Sequence, residues 1–324
     1  MSLLERSQQL LAILSDGEYH SGQALGAALN ISRAAVWKLV QQLQSQQVPV
    51  ASRHGRGYCW AGAADLLSPE AIRANLAHTA DLNLEVLWQT TSTNSLLLDA
   101  ARLGCIHRRA VLAEQQTAGR GRRGRDWLSP LAQNLYLSLG WRFEQGVAQV
   151  EGLSLAVGVV IVHCLQSLGV QGLALKWPND IWLEGRKLAG VLIEVGGDLS
   201  GQFHLVLGVG LNSHMPPEEA KHQGWASLLE QCCFNRNQLA ARLLEALAQL
   251  LADFPSRGFA FYQEEWNRLN GLAGRTIVID QAGAWEEGVC LAAAANGGLQ
   301  VRTCAGVKTL LGGEISLRLQ THTH

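Results

Sequence analysis

The chain has no excess of positive charge: 26 Lys and Arg against 27 Asp and Glu leave a formal charge of −1. That excludes binding of nucleic acid through an overall basic field, so any such binding must come from a local cluster. Long hydrophobic runs are also missing. The most apolar stretch, near Leu153–Leu165, is interrupted by Ser154, Gly158 and His163; it is too short to span a bilayer and reads as a buried helix, with no membrane partner. The N-terminus places Glu5 and Arg6 between short apolar runs, which is neither a signal peptide nor an anchor. The 7 cysteines are scattered without a C-x-x-C pair, and Cys232–Cys233 are adjacent. That excludes an ordinary disulfide framework or zinc knuckle and points to free buried thiols in a reducing, cytoplasmic setting. With 324 residues the chain exceeds one small core and predicts about two or three domains.

What is present begins with helical periodicity. Leu3, Leu4, Leu10, Leu11 and Leu14 predict a first helix, with Gly17 as its stop. Ser21 caps a second, short helix ended by Asn30 in the left-handed region, and Ser32 caps a third with Val36, Leu39, Val40 and Leu43 inward. Two helices joined by so short a turn predict a helix-turn-helix. Gly55 and Gly57 then turn a hairpin charged by Arg53, His54 and Arg56, a wing with Tyr58 and Trp60 packed under it. Ser32, Arg33, Trp37, Lys38, Arg53 and Arg56 are the DNA-contact candidates. The alternative is a plain three-helix bundle with a solvated charged face.

In the middle segment, Glu85–Trp88 is strand-like and Leu96, Leu97 and Ala100 are in helical register, so Ser92, Thr93 and Asn94 lie at a strand-to-helix corner. Such a corner either offers hydroxyls, an amide and free N–H groups to a polar ligand or caps the helix. Next comes "GRGRRGRDW", Gly119–Trp127, whose glycines fall on the G-x-G-x-x-G spacing. A dinucleotide turn needs a helix after the glycines. Here Asp126–Pro130 and the alternating Leu135, Leu137, Leu139 and Trp141 follow, a half-buried strand. Strand, loop, strand is the wrong context. A glycine-rich basic loop for anions remains, with a flexible nucleic-acid patch as its rival. Further on, Leu173–Trp177 is a strand ended by Pro178, and Ile181–Leu183 pairs with Leu188–Val195 about Glu184–Arg186. Lys187 then projects with Ala189, Val191 and Ile193. There it needs an anionic partner or a depressed pKa, unless it snorkels to the surface.

The order of motifs resembles the biotin–protein ligases. It runs Ser92-Thr93-Asn94, Gln116 with "AGRGRRGR", "KWPND", "GRKLAG", "GVGLN" and "GGEISLR". With "HSGQALGAALNISRAAVWK" it resembles the bifunctional kind that also represses the biotin operon. The likeness covers essentially the whole chain. It implies a mixed α/β fold in three domains: a winged helix-turn-helix at 1–64, a mixed-sheet catalytic domain of class II synthetase-like type at 65–270, and a small SH3-like β-barrel at 271–324. It implies biotin, ATP and Mg²⁺, with the ion held mainly by phosphates and no side-chain metal site. The implied partners are a biotin carboxyl carrier protein, operator DNA and a second copy of the chain once adenylate is bound.

By the same resemblance Lys187 and Arg122 face the reacting carboxylate and α-phosphate, and Asp180 orients or deprotonates the incoming lysine. Gly119, Arg120 and Gly121 fold over biotin; Ser92, Thr93, Asn94 and Gln116 hold its ureido ring and bicyclic head; Asn179 lies with Asp180 by the reaction centre, and Lys176 and Asn212 belong to the adenylate site. Two other readings stay open: a winged-helix regulator with a non-catalytic effector domain, and a ligase that uses lipoate. Short strands "RTIVID", "WEEGVCLA", "GLQVRT", "VKTLL" and "ISLRL" close the chain, with Arg318 as a candidate contact and "THTH" as a tail.

Overall fold

The computed structural model describes residues 3–46, 48–60, 65–78, 81–144, 146–198, 200–222, 224–231, 234–281, 284–312 and 315–319. The expected boundary at 64, the Cys232–Cys233 pair and the "THTH" tail lie outside these residues, as does the Arg318 side chain.

The N-terminal segment folds as α1 (Leu3–Leu14), α2 (Gly22–Leu29), α3 (Arg33–Ser45) and the hairpin β1 (Val50–Arg53) and β2 (Gly57–Trp60). Local chemistry sets its turns. Ser21 accepts from the Ala24 N–H, Ser32 from the Ala35 N–H, and Asn30 sits at φ 51, ψ 49, so α2 stops and α3 restarts within three residues. Leu10, Leu11, Leu14, Leu25, Val36, Leu39, Val40 and Trp60 fill one core. Leu131 and Ala132, from the segment that follows the basic loop, belong to that core too.

The middle of the chain carries α4 (Pro69–Arg73), β3 (Asn83–Thr90), α5 (Thr93–Arg102), β4 (Arg109–Gln116), β5 (Leu135–Phe143), α6 (Leu153–Ser167), β6 (Leu173–Lys176), β7 (Asp180–Leu183), β8 (Arg186–Gly197) and β9 (Phe203–Leu211). Then come α7 (Pro217–His222), α8 (Arg236–Arg257) and α9 (Gln263–Leu269). The seven strands form one mixed sheet, β3-β4-β5-β9-β8-β7-β6, parallel only at β3–β4. Helices α6 and α8 pack over one face and α5 over the other. Together with the turn before it, α6 is long and apolar enough to cross a membrane; here its Leu155, Val159 and Val162 are part of the main core.

Three expectations change. First, β5 is not half-buried. Tyr136 and Ser138 are as buried as Leu137 and Leu139, because α5 covers the face that the alternation assigned to solvent. Second, the stretch 213–224, which its polar residues and Pro216–Pro217 mark as a loop, buries His214 and Met215 and forms α7. Third, Cys105 and Cys304 are exposed, while Cys59 and Cys290 are buried; all are free thiols.

The C-terminal strands β10 (Thr276–Gln281), β11 (Ala284–Ala293), β12 (Leu299–Thr303), β13 (Gly306–Leu310) and β14 (Ile315–Leu319) form an antiparallel sheet in the order β13-β12-β11-β10-β14. Its inward residues Ile277, Ile279, Cys290, Leu299 and Val301 are continuous with the main core. Trp177 Nε1 donates to the Gly297 carbonyl at 3.0 Å across the same junction.

Candidate functional site

Where β3 ends, the N-terminus of α5 meets the end of β4 and lies over the middle of β8 and the C-terminal half of β9. Ser92 caps α5 through a 3.5 Å bond from the Ser95 N–H. Thr93 donates its backbone N–H (2.9 Å) and hydroxyl (3.1 Å) to Gln116 Oε1, and Gln116 Nε2 donates to Ser129 Oγ at 3.1 Å. The Ser138 hydroxyl donates to Asn94 Oδ1 at 2.6 Å and lies 2.7 Å from Thr93 Oγ1. Ser92 thus caps the helix and also lines a hollow.

The floor of this hollow is made of glycine. A Cβ on Gly208 would sit 2.3 Å from Asn94 Oδ1, and one on Gly210 would sit 2.4 Å from the Trp127 indole. Only a bare backbone lets those side chains lie flat on the sheet. Lys187 belongs to this face, not to the one predicted. Leu188 is an extra residue between the Trp182–Lys187 and Ile181–Ala189 pairs, a β-bulge that breaks the alternation. Lys187 therefore lies beside Gly190, where a Cβ would be 3.2 Å from its Nζ, while Leu188, Ala189 and Val191 face the core. The anionic partner that it needs is Asp180, with Nζ to Oδ1 at 2.7 Å.

The basic loop closes the hollow from above. The Gly121 N–H donates to the Arg125 carbonyl (2.7 Å) and the Trp127 N–H to the Gly119 carbonyl (2.9 Å). One short turn carries Arg123 at φ 62 and Gly124 at φ 68. Arg120 donates to Glu194 at 2.9 Å, and Arg122 to Asn179 Oδ1 at 3.3 Å. Burial draws the Arg122 guanidinium below its ordinary pKa, and the Asp180 carboxylate opposes that shift; arginine stays charged even so. Trp127 runs parallel to Trp225, with centroids 6.2 Å apart and planes 8° apart, and Lys187 Nζ lies 5.1 Å from the Trp127 ring centre.

Two hollows adjoin here. The inner one is lined by Ser92, Thr93, Asn94, Gln116, Arg120 and the glycines of the floor. The outer one is lined by Arg123, Arg125, Lys176, Asp180 and Trp225. Gly121, Arg122, Trp127, Asn179 and Lys187 line both, so they form the shared wall. Two predicted residues are not in either lining. Gly119 lies under the loop, where a Cβ would be 2.5 Å from the Trp127 carbonyl and 2.7 Å from Ser129 Oγ. Asn212 is 1% exposed; its amide donates to the Ala226 carbonyl at 3.2 Å, so it anchors the loop that carries Trp225.

Sequence reasoning missed Ser138, Glu194, Trp127 and the glycine floor. Gly208 and Gly210, two apart within a strand, were a signal for close approach; nothing in the sequence marked Ser138 or Glu194. Among the described residues no group of three His, Cys, Asp or Glu side chains is placed to hold a metal ion.

On the N-terminal domain, Arg33, Trp37 and Lys38 are exposed on α3, and Arg53 and Arg56 at the wing tip. The Ser32 oxygen is engaged in capping α3. The Arg56 guanidinium lies 4.7 Å over the Tyr19 ring.

The model of the Biotin/lipoate A/B protein ligase family matches residues 86–212, and an HTH domain model matches residues 6–59. The bifunctional ligase/repressor BirA of Salmonella typhimurium is 39% identical over 313 residues, 95% of this chain and 96% of that protein. The biotin–[acetyl-CoA-carboxylase] ligase of Mycobacterium tuberculosis is 40% identical over 191 residues, 54% of this chain and 70% of that protein. Among solved structures, biotin protein ligase from Aquifex aeolicus in complex with biotin and ATP superposes with a TM-score of 0.62 at 27% identity, covering 74% of this chain and 99% of that one. The chain belongs to the biotin/lipoate A/B protein ligase family, as a biotin–protein ligase that carries an N-terminal helix-turn-helix repressor domain.

Proposed function

We propose that the inner hollow holds biotin, that the outer one holds ATP, and that Lys187 and Arg122 act where the two meet. The shared wall carries the argument: the same two cations line both hollows. In the first step a biotin carboxylate oxygen bonds to the α-phosphorus and the bond to the β-phosphate breaks, releasing pyrophosphate. Two anions must approach, and fixed cations between them offset the repulsion and hold the line of attack. In the second step the ε-amine of a carrier-protein lysine attacks the biotinyl carbonyl, and the bond to AMP breaks. Asp180 borders the shared wall and takes or orients the amine proton once its own lysine has turned to phosphate. Lys176, Arg123 and Arg125 suit the phosphate tail, and the Trp127–Trp225 pair suits a planar base. Mg²⁺ enters on the phosphates of ATP and offsets their charge. The neutral donors and acceptors of Ser92, Thr93, Asn94 and Gln116 suit a ureido ring, whereas a lipoyl ring would leave them unpaired.

Arg33, Trp37 and Lys38 enter a groove of operator DNA while Arg53 and Arg56 meet phosphates. Adenylate binding promotes a homodimer that spans two half-sites. The three domains divide at about residues 64 and 270. The free thiols fit a cytoplasmic protein.

The test is biotin-dependent ATP–pyrophosphate exchange by wild type and Lys187→Met. Exchange by wild type and a loss of about 10²–10³-fold in the variant are expected, the usual consequence of removing one preorganised donor. Equal exchange would remove Lys187 from the reaction, and no biotin-dependent exchange by wild type would end the ligase reading.

A further inference from the structure

Glu194 lies on β8, beyond the inner hollow rather than in its lining. One of its oxygens, Oε2, accepts from Asn94 Nδ2 at 2.8 Å and from Arg120 at 2.9 Å. An ionised carboxylate only accepts hydrogen bonds. The Asn94 amide must therefore turn its nitrogen to Glu194 and its oxygen to the Ser138 hydroxyl. The nitrogen's other contact is the Leu192 carbonyl at 3.5 Å, so both amide hydrogens point into the protein. Gly208 lies beneath Oδ1. Ser138 engages one lone pair of that oxygen; what Asn94 has left for a ligand is the second, an acceptor.

We infer that Glu194 is a positioning residue that sets the polarity of the inner hollow. It fixes Asn94 so that the site takes a ring that donates an N–H, and through Arg120 it latches the loop over that ring. The inference rests on the reading of the inner hollow as the biotin site. Recognition and closure thus converge on one carboxylate oxygen. The specificity it confers is against rings of the same size that lack the N–H, because such a ring leaves a buried acceptor unpaired.

The experiment uses the full-length chain and two probes, biotin and its isostere with ring oxygens in place of the ureido N–H groups, with titration calorimetry and steady-state adenylation. Wild type prefers biotin. Glu194→Leu reduces that preference on the order of tenfold, the worth of one hydrogen bond at the site, and raises the KM for biotin while kcat changes little. Arg120→Met weakens both probes by one factor and leaves the preference intact. Glu194→Gln keeps an oxygen for Asn94 but not the charge for Arg120, so it keeps the preference and releases biotin faster. Urea midpoints show whether each variant is folded. Equal weakening of both probes by Glu194→Leu overturns the inference, as does loss of preference in Glu194→Gln. Gln116→Ala separates the two levels. If it too leaves biotin binding unchanged, the biotin reading of the hollow fails; if it weakens binding while Glu194→Leu does not, only the role of Glu194 fails.

Discussion

The replacement Glu114→Gln should be among the most damaging single changes in this protein, although Glu114 touches no substrate. Glu114 is 2% exposed and Arg236, the first residue of α8, is 0% exposed, with Oε2 and the guanidinium 2.6 Å apart. Arg236 also donates to the Asn134 carbonyl (3.0 Å) and the Asp65 carbonyl (3.2 Å), and Glu114 Oε1 accepts from the Leu67 N–H at 2.5 Å. The pair therefore joins β4, the segment after the basic loop and the chain that leaves the N-terminal domain. Neutralising the carboxylate strands a guanidinium that water does not reach. Breaking a buried pair from one side costs about 3–5 kcal/mol, whereas an exposed pair is worth about 1 kcal/mol or less. Asp99→Ala is the control: in that pair Arg102 is 79% and Asp99 69% exposed. Urea unfolding followed by tryptophan fluorescence measures both. Glu114→Gln should lose several times more stability than Asp99→Ala. Glu114→Leu combined with Arg236→Leu should regain part of the loss, since no unpaired charge remains. Equal losses in the two single variants, or a double variant less stable than Glu114→Gln, would refute the reasoning.

Gly210→Ala should weaken biotin binding on the order of 10²-fold, because the methyl displaces Trp127 and with it the loop, and a shift of about 1 Å has that effect on an ordered site; Gly190→Ala, whose Cβ would meet the ring edge at 3.1 Å and the flexible end of Lys187, should do less. Calorimetric titration of both would show it, and equal affinities would count against the glycine floor. Burial, aided by Arg236, pushes the His214 pKa down to about 4. Its neutral form is the folded one, so its contribution is complete above about pH 6.5 and is lost as pH falls toward 4, by up to about 1.4 kcal/mol per unit. His214→Gln should flatten that part of the stability profile, and an unchanged slope would exclude it as the source. Arg53→Ala should weaken operator binding in gel-shift titrations and reduce the salt dependence by about one unit of slope, as loss of one phosphate contact does; an unchanged slope would take Arg53 off the DNA.

Much of this was legible in the sequence because it is local. Ser21, Asn30 and Ser32 set the helix-turn-helix through caps and one left-handed residue, all within a few positions of their partners. Gly55 and Gly57 turn the wing in the same way. The absence of a helix after "GRGRRGRDW" was likewise a local fact, and it excluded the dinucleotide turn. The motif order then identified the family, and nine of the residues it implied line the inner hollow.

The tertiary structure decided what depends on residues far apart in the chain. Alternation along β8 placed Lys187 on the apolar face; the bulge at Leu188, visible only against β7, moved it to the face that lines the two hollows, beside Asp180. Asn212 reads as a ligand residue in "GVGLN", yet its amide holds the Ala226 carbonyl fourteen positions on. Glu194 lies a hundred residues from Asn94 and seventy-four from Arg120. No periodicity or spacing encodes such a meeting, because side-chain polarity carries no record of its partner. Only the stacking of α5 and the loop over the glycines of β8 and β9 brings the three together.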